Sequence, residues 1–144
     1  MNREILFKAK RKDSREWEEG YYAMIGKRHA IILSQTEKYY TEDVKESHGN
    51  EVVEIIPETV SQYTGLTDKN GDRIWEHDIV EYFDDLAVMK KIDEIKYNET
   101  HASFCRLHRS QMGLQYLYID ECIAKTMRII GNVFDNPDLL EVCK

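Results

Sequence analysis

Apolar residues in this chain come in short clusters dominated by β-branched and aromatic side chains, each closed off within a few residues by turn-forming ones. Ala30-Ile31-Ile32-Leu33, Ile79-Val80-Glu81-Tyr82 and Met127-Arg128-Ile129-Ile130 are examples. Such clusters are too short for amphipathic helices and have the composition of strands. None approaches the roughly 18 residues of a membrane-crossing helix. Many short strands joined by turns predict a mainly β fold, with small barrel-like or sandwich subdomains and a few short helical turns.

The strongest local signal is Asn70-Gly71, between Gln62–Leu66 and Ile74-Trp75. Asn-Gly is favoured in type I′ hairpin turns, where both central residues take positive φ, so the pair predicts a hairpin of that type. Alternation at Ile5, Phe7 and Ala9 predicts a first strand with one buried face, and Lys10–Arg15 a hairpin end. Trp17–Ile25 should return, with Gly20 as a candidate bend, and after a turn at Gly26–His29 a third strand covers Ala30–Leu33. The polar segment Ser34–Asn50 has no clear pattern, but Gly49-Asn50 marks a turn before a strand at Val52–Ile56. Pro57 should open a single helical turn over Glu58-Thr59-Val60.

Farther on, Glu76-His77-Asp78 is expected to turn into a strand at Ile79–Tyr82. Ile92–Tyr97 and Ala102–Leu107 should form a hairpin around Asn98-Glu99-Thr100. A helical turn at Asp120–Lys125, a strand at Met127–Gly131 and a terminal turn at Asn136–Leu140 complete the pattern. At 144 residues this fits one domain, divisible near Pro57 into subdomains 1–57 and 58–144.

Composition narrows the function classes. A 33% charged fraction and a net charge of −7 suit a hydrated, soluble surface. Proteins that neutralise many phosphates are usually basic, so global charge argues against non-specific nucleic-acid binding. Met1 to Ile5 has no signal-peptide apolar region, so the cytoplasm is the expected compartment and no membrane partner is expected. Cys105, Cys122 and Cys143 match no C-x-x-C spacing and are expected to stay reduced.

Several constellations invite chemistry. Glu76, His77 and Asp78, with Asp72, Asp84 and Asp85, could hold a metal or act in acid–base catalysis, but they fall in expected turns where such residues serve backbone hydrogen bonding. His101, Cys105 and His108 are zinc-ligand types, yet strand parity sends His108 to the opposite face. No phosphate-binding loop, nucleophile elbow or zinc-protease motif occurs. The expectation is no catalytic residue, no metal and no cofactor, with a hydrolytic enzyme as the third-ranked reading. The best nucleic-acid candidate is the basic run Lys8, Lys10, Arg11, Lys12 and Arg15, with Trp17, Tyr21 and Tyr22 available for stacking, although Asp13, Glu16, Glu18 and Glu19 interrupt it.

Three stretches carry a likeness to a known family. They are Arg3–Ala9, then Pro57-Glu58-Thr59-Val60-Ser61-Gln62-Tyr63-Thr64-Gly65-Leu66-Thr67-Asp68-Lys69-Asn70-Gly71 continued by Ile74–Val80, and finally Ile129–Leu140. In order and spacing they resemble the YopX family of small proteins carried by phages and prophages. Lys10 stands where the family has an aromatic residue, and His77 where it has glycine. The resemblance implies phage or prophage origin, a mainly β fold and self-association, and it supplies no catalytic residues. The leading expectation is a non-enzymatic accessory protein acting through protein–protein contacts as a homo-oligomer, with an unknown phage or host protein as a further partner. The alternative is a nucleic-acid-binding β module.

Overall fold

The computed structural model describes residues 3–33 and 51–141. The turn expected at Gly49-Asn50 and the reduced thiol expected at Cys143 lie outside the described residues. The chain is mainly β, as the short β-branched clusters predict, and its strands are antiparallel. It divides into two compact units, Met1–Gln62 and Tyr63–Lys144.

In the first unit, β1 (Phe7–Lys10), β2 (Trp17–Ile25), β3 (Arg28–Leu33) and β4 (Val52–Glu54) pair in the order β4-β3-β2-β1. Ser61 and Gln62, which open β5 (Ser61–Thr67), pair on the outer side of β1. Period-2 burial makes the core: Ala9, Ile31, Val53 and Ile55 are buried, and Phe7, Tyr22, Leu33 and Val60 pack against them. β2 runs without interruption through Gly20, in contrast to the expected bend. A Cβ at Gly20 would stand 2.1 Å from the Ile32 carbonyl oxygen, so glycine serves close strand approach here. Pro57–Thr59 forms a 3-10 turn, and the Thr59 hydroxyl accepts from the Lys10 N–H at 2.9 Å.

The second unit opens with the β5–β6 hairpin, β6 being Arg73–Trp75. It continues as a five-stranded sheet ordered β10-β9-β8-β7-β11. The strands are β7 (Asp78–Phe83), β8 (Lys90–Asn98), β9 (Ser103–Ser110), β10 (Gly113–Leu117) and β11 (Arg128–Asn132). The core side of this unit buries Ile74, Val80, Ile95, Ile119, Ala124 and Met127. Helix α1 (Glu121–Ala124) is one turn long, capped where the Asp120 carboxylate accepts from the Ile123 N–H at 2.8 Å.

Three turns hold a residue in the left-handed region. At Asn70-Gly71 only Gly71 has positive φ (+81°), which excludes the type I′ turn. The Gly71 N–H donates to the Asp68 carbonyl at 3.0 Å and the Asp68 N–H to the Asp72 carbonyl at 2.8 Å. This is the longer hairpin connection, a type I turn followed by a left-handed glycine. Asp68 selects it: its buried carboxylate accepts from the N–H groups of Asn70 (2.9 Å), Asp72 (3.0 Å) and Ile129 (3.1 Å). His77 holds φ +72°, so the conformation suited to glycine persists without glycine. β9 begins at Ser103 rather than Ala102 because Ala102 sits at φ +50° in the turn. β10 has no counterpart among the expected elements.

Candidate interaction surface

The basic run from Lys8 to Arg15 does not gather into one cationic face. Lys8 and Lys10 lie on β1 with their ammonium groups 4.9 and 5.5 Å from the Trp17 ring centre, a cation–π arrangement. The Arg11 guanidinium is held by Asp13 (2.9 Å) and Glu18 (3.0 Å), and Lys12 pairs with Glu54 at 3.1 Å. Hydrogen bonding to Arg11 lowers the Asp13 carboxyl to about 2. Arg15 takes φ +62° in the turn. Of the aromatics expected nearby, Tyr21 is exposed, while Tyr22 is half-buried and meets His29 through its hydroxyl.

Two of the acidic turn residues, Asp78 and Asp84, accept from the backbone. The buried Asp78 carboxylate accepts from the Trp75 N–H at 2.8 Å. Asp84 accepts from the N–H of Val88 at 3.0 Å and of Met89 at 3.4 Å, and these backbone donors hold its carboxyl below the usual range. Cys105 is buried on β9, and desolvation raises its thiol pKa. His108 lies on the face opposite Cys105, while His101 stands in the exposed turn before β9. Among the described residues no group of three or more His, Cys, Asp or Glu is arranged to hold a metal ion.

A polar network that the sequence reading missed sits on the core side of the five-stranded sheet. Asp93 on β8 is fully buried. Tyr82 on β7 donates its hydroxyl to one carboxylate oxygen at 2.8 Å, and His108 on β9 meets the other through Nδ1 at 2.6 Å. A carboxylate only accepts, so Nδ1 carries the proton. Arg106 stands 3.9 Å from the same carboxylate, lies over the Tyr82 ring and donates from Nε to the Tyr118 carbonyl at 2.8 Å. Burial, then the bond to Asp93, pushes the Tyr82 phenol well above its ordinary range, so it remains a donor. The acidic pair Asp93-Glu94, flanked by Ile92 and Ile95 within one strand, was the available signal. On the opposite face Arg109 answers Glu94 at 2.7 Å. The network ties three strands together and fixes the chain as it leaves β10.

The register brings large exposed apolar groups to one end and edge of this sheet. Phe83 pairs with Lys90 and Asp93 with His108, so the turn after β7 and the turn after β9 lie at the same end. The first turn exposes Leu86 (82%) and Val88 (73%), and the second exposes Met112 (96%). Along the β10 edge, Leu114, Tyr116 and the following Tyr118 are also exposed. Monomers seldom leave so many large apolar groups in one region, and such regions mark interaction sites.

The sequence model of the YopX protein family matches residues 6–141. Among solved structures, the chain is similar to that of protein EF1440 from Enterococcus faecalis, at 23% identity and a TM-score of 0.56, covering 96% of this chain and 99% of that one. At that identity the likeness shows the fold alone. Among curated proteins none matches. Among the described residues no helix is long and apolar enough to cross a membrane.

Proposed function

The chain belongs to the YopX family, and from that premise we propose that it is a phage or prophage accessory protein that works in the cytoplasm, without catalysis, through protein–protein contacts as a homo-oligomer. The observation that supports this most is the apolar end and edge of the five-stranded sheet, where Leu86, Val88, Met112, Leu114 and Tyr116 face solvent. Exposed aromatic and methionine side chains are the types enriched at contact surfaces. The polar groups best suited to chemistry serve internal structure instead: Asp93 is engaged by Tyr82 and His108, and Asp68 by three backbone N–H groups. Light scattering on the purified chain at micromolar concentration tests the reading, with a mass of at least a dimer expected. A monomer at every accessible concentration would remove homo-oligomerisation from the proposal.

A second reading, nucleic-acid binding, is favoured by Lys8 and Lys10 beside Trp17 on one strand pair. It is weakened by the engagement of Arg11 and Lys12 with acids. Titration of labelled single- and double-stranded DNA across a salt series discriminates the two, since phosphate-mediated binding weakens steeply with salt.

A further inference from the structure

We propose that β10 is the self-association strand, pairing antiparallel with β10 of a second copy of this chain; this rests on the reading of the chain as self-associating and names the surface involved.

The two edges of the five-stranded sheet differ. β11 carries the devices that protect a natural edge: its register shifts between Ile129 and Gly131, and Arg128 is ion-paired to Glu81. β10 carries none. Its pairing with β9 is regular from Gly113 to Leu117, without a bulge, and it contains no proline. Residues 110–119 carry no charged side chain, the longest such run in a chain that is 33% charged. Among the described residues β10 has no strand on its outer side. An unprotected, regular, apolar edge is a template for another strand.

Two features favour a second copy as the occupant. First, the strand is self-complementary. An antiparallel pair centred on Gln115 sets Leu114 opposite Tyr116 of the second copy, and the reverse, on the face where both are exposed (58% and 54%). On the other face Gln115 meets its own equivalent, and a primary amide both donates and accepts. Second, a chain of net charge −7 repels its copy over most of its surface, so copies meet best where charge is absent. The contact is isologous and closes as a dimer.

Sedimentation velocity on the full chain tests this, comparing the parent with Leu114→Lys, Tyr116→Lys and the control Met24→Lys, which changes an exposed residue of β2. The expected result is a dimer for the parent and the control, and a halved mass for both β10 variants. A second arm oxidises Gln115→Cys in a background with Cys122 and Cys143 changed to serine. Disulfide-linked dimers are expected, and this arm decides the matter if a lysine variant fails to fold. A self-associated parent whose β10 variants keep their mass and whose Gln115→Cys form gives no linked dimer overturns the β10 assignment while leaving self-association standing. A monomeric parent overturns both.

Discussion

Gly71 has open space where a Cβ would stand, so substitution there is penalised through φ +81° and not through packing. Gly71→Ala should cost about 1 kcal/mol in urea melts, and Gly71→Val more, because β-branching disfavours positive φ. Lys69→Ala, an exposed change, should stay within about 0.5 kcal/mol. Asp68 is the more sensitive position, because Asp68→Ala leaves three backbone donors without their acceptor. A loss of at least about 2 kcal/mol is expected, with Asp68→Asn intermediate. His77 poses a finer contest. Glycine at φ +72° would relieve backbone strain of about 1 kcal/mol, but the ring lies edge-on to Phe134 with centres 5.1 Å apart, a contact worth a similar amount. His77→Gly should therefore leave the urea midpoint nearly unchanged, while His77→Ala, which keeps the strain and loses the ring, should lower it clearly. A His77→Ala protein as stable as His77→Gly would show that the left-handed conformation costs nothing here.

At the level of elements, those most legible in the sequence are the ones closed by explicit turn residues: β1, β2, β3, β5, β7 and α1 begin and end within a few residues of where composition and punctuation place them. What sequence could not supply falls into two kinds. Turn type at Asn70-Gly71 was decided by Asp68, whose carboxylate reaches Ile129 far along the chain, a tertiary choice that a dipeptide preference cannot contain. β10 was hidden because Leu114, Gln115, Tyr116 and Leu117 do not alternate between apolar and polar, and Gly113 at φ +115° is its only turn signal. A strand without a buried face lacks the pattern by which strands are recognised. The Asp93 network was obscured for a related reason, since its partners lie on β7 and β9 and no local spacing connects them. It makes a prediction of its own. Removing the carboxylate leaves Tyr82 without its acceptor and Arg106 without its nearby anion, so Asp93→Ala should cost about 3 kcal/mol or more. Tyr82→Phe should cost about 1–2 kcal/mol, as loss of one hydrogen bond to a charged group. An Asp93→Ala protein within experimental error of the parent in urea would mean the network is ornamental.

Taken as a whole, the molecule is acidic, and its response to protons and salt follows from where its charges sit. Asp13, beside Arg11, titrates at about 2, and Asp84, bonded by backbone N–H groups, is also lowered. Burial pushes Glu81 upward, but Arg128 and Lys90 outweigh it and leave it lowered as well. A carboxylate lowered on folding contributes stability above its unfolded pKa, and that contribution is lost as pH falls through the folded value. The melting temperature should hold above the ordinary carboxylate range near pH 4–5 and fall progressively toward about pH 2. Glu81→Gln, which removes one of the lowered carboxyls, should make that fall shallower. Salt acts on association in the opposite sense for the two functional readings. If copies meet at the uncharged β10 edge, the surrounding net charge of −7 per chain opposes the contact, and screening it over a Debye length of about 10 Å at 0.1 M salt should tighten the dimer. If Lys8 and Lys10 grip phosphates, added salt releases the nucleic acid instead. Sedimentation of the protein alone across a salt series should therefore show the dimer fraction rising with ionic strength. A dimer that dissociates as salt is added would be held by ion pairs, and residues 110–119, which carry no charge, could not be the surface that holds it.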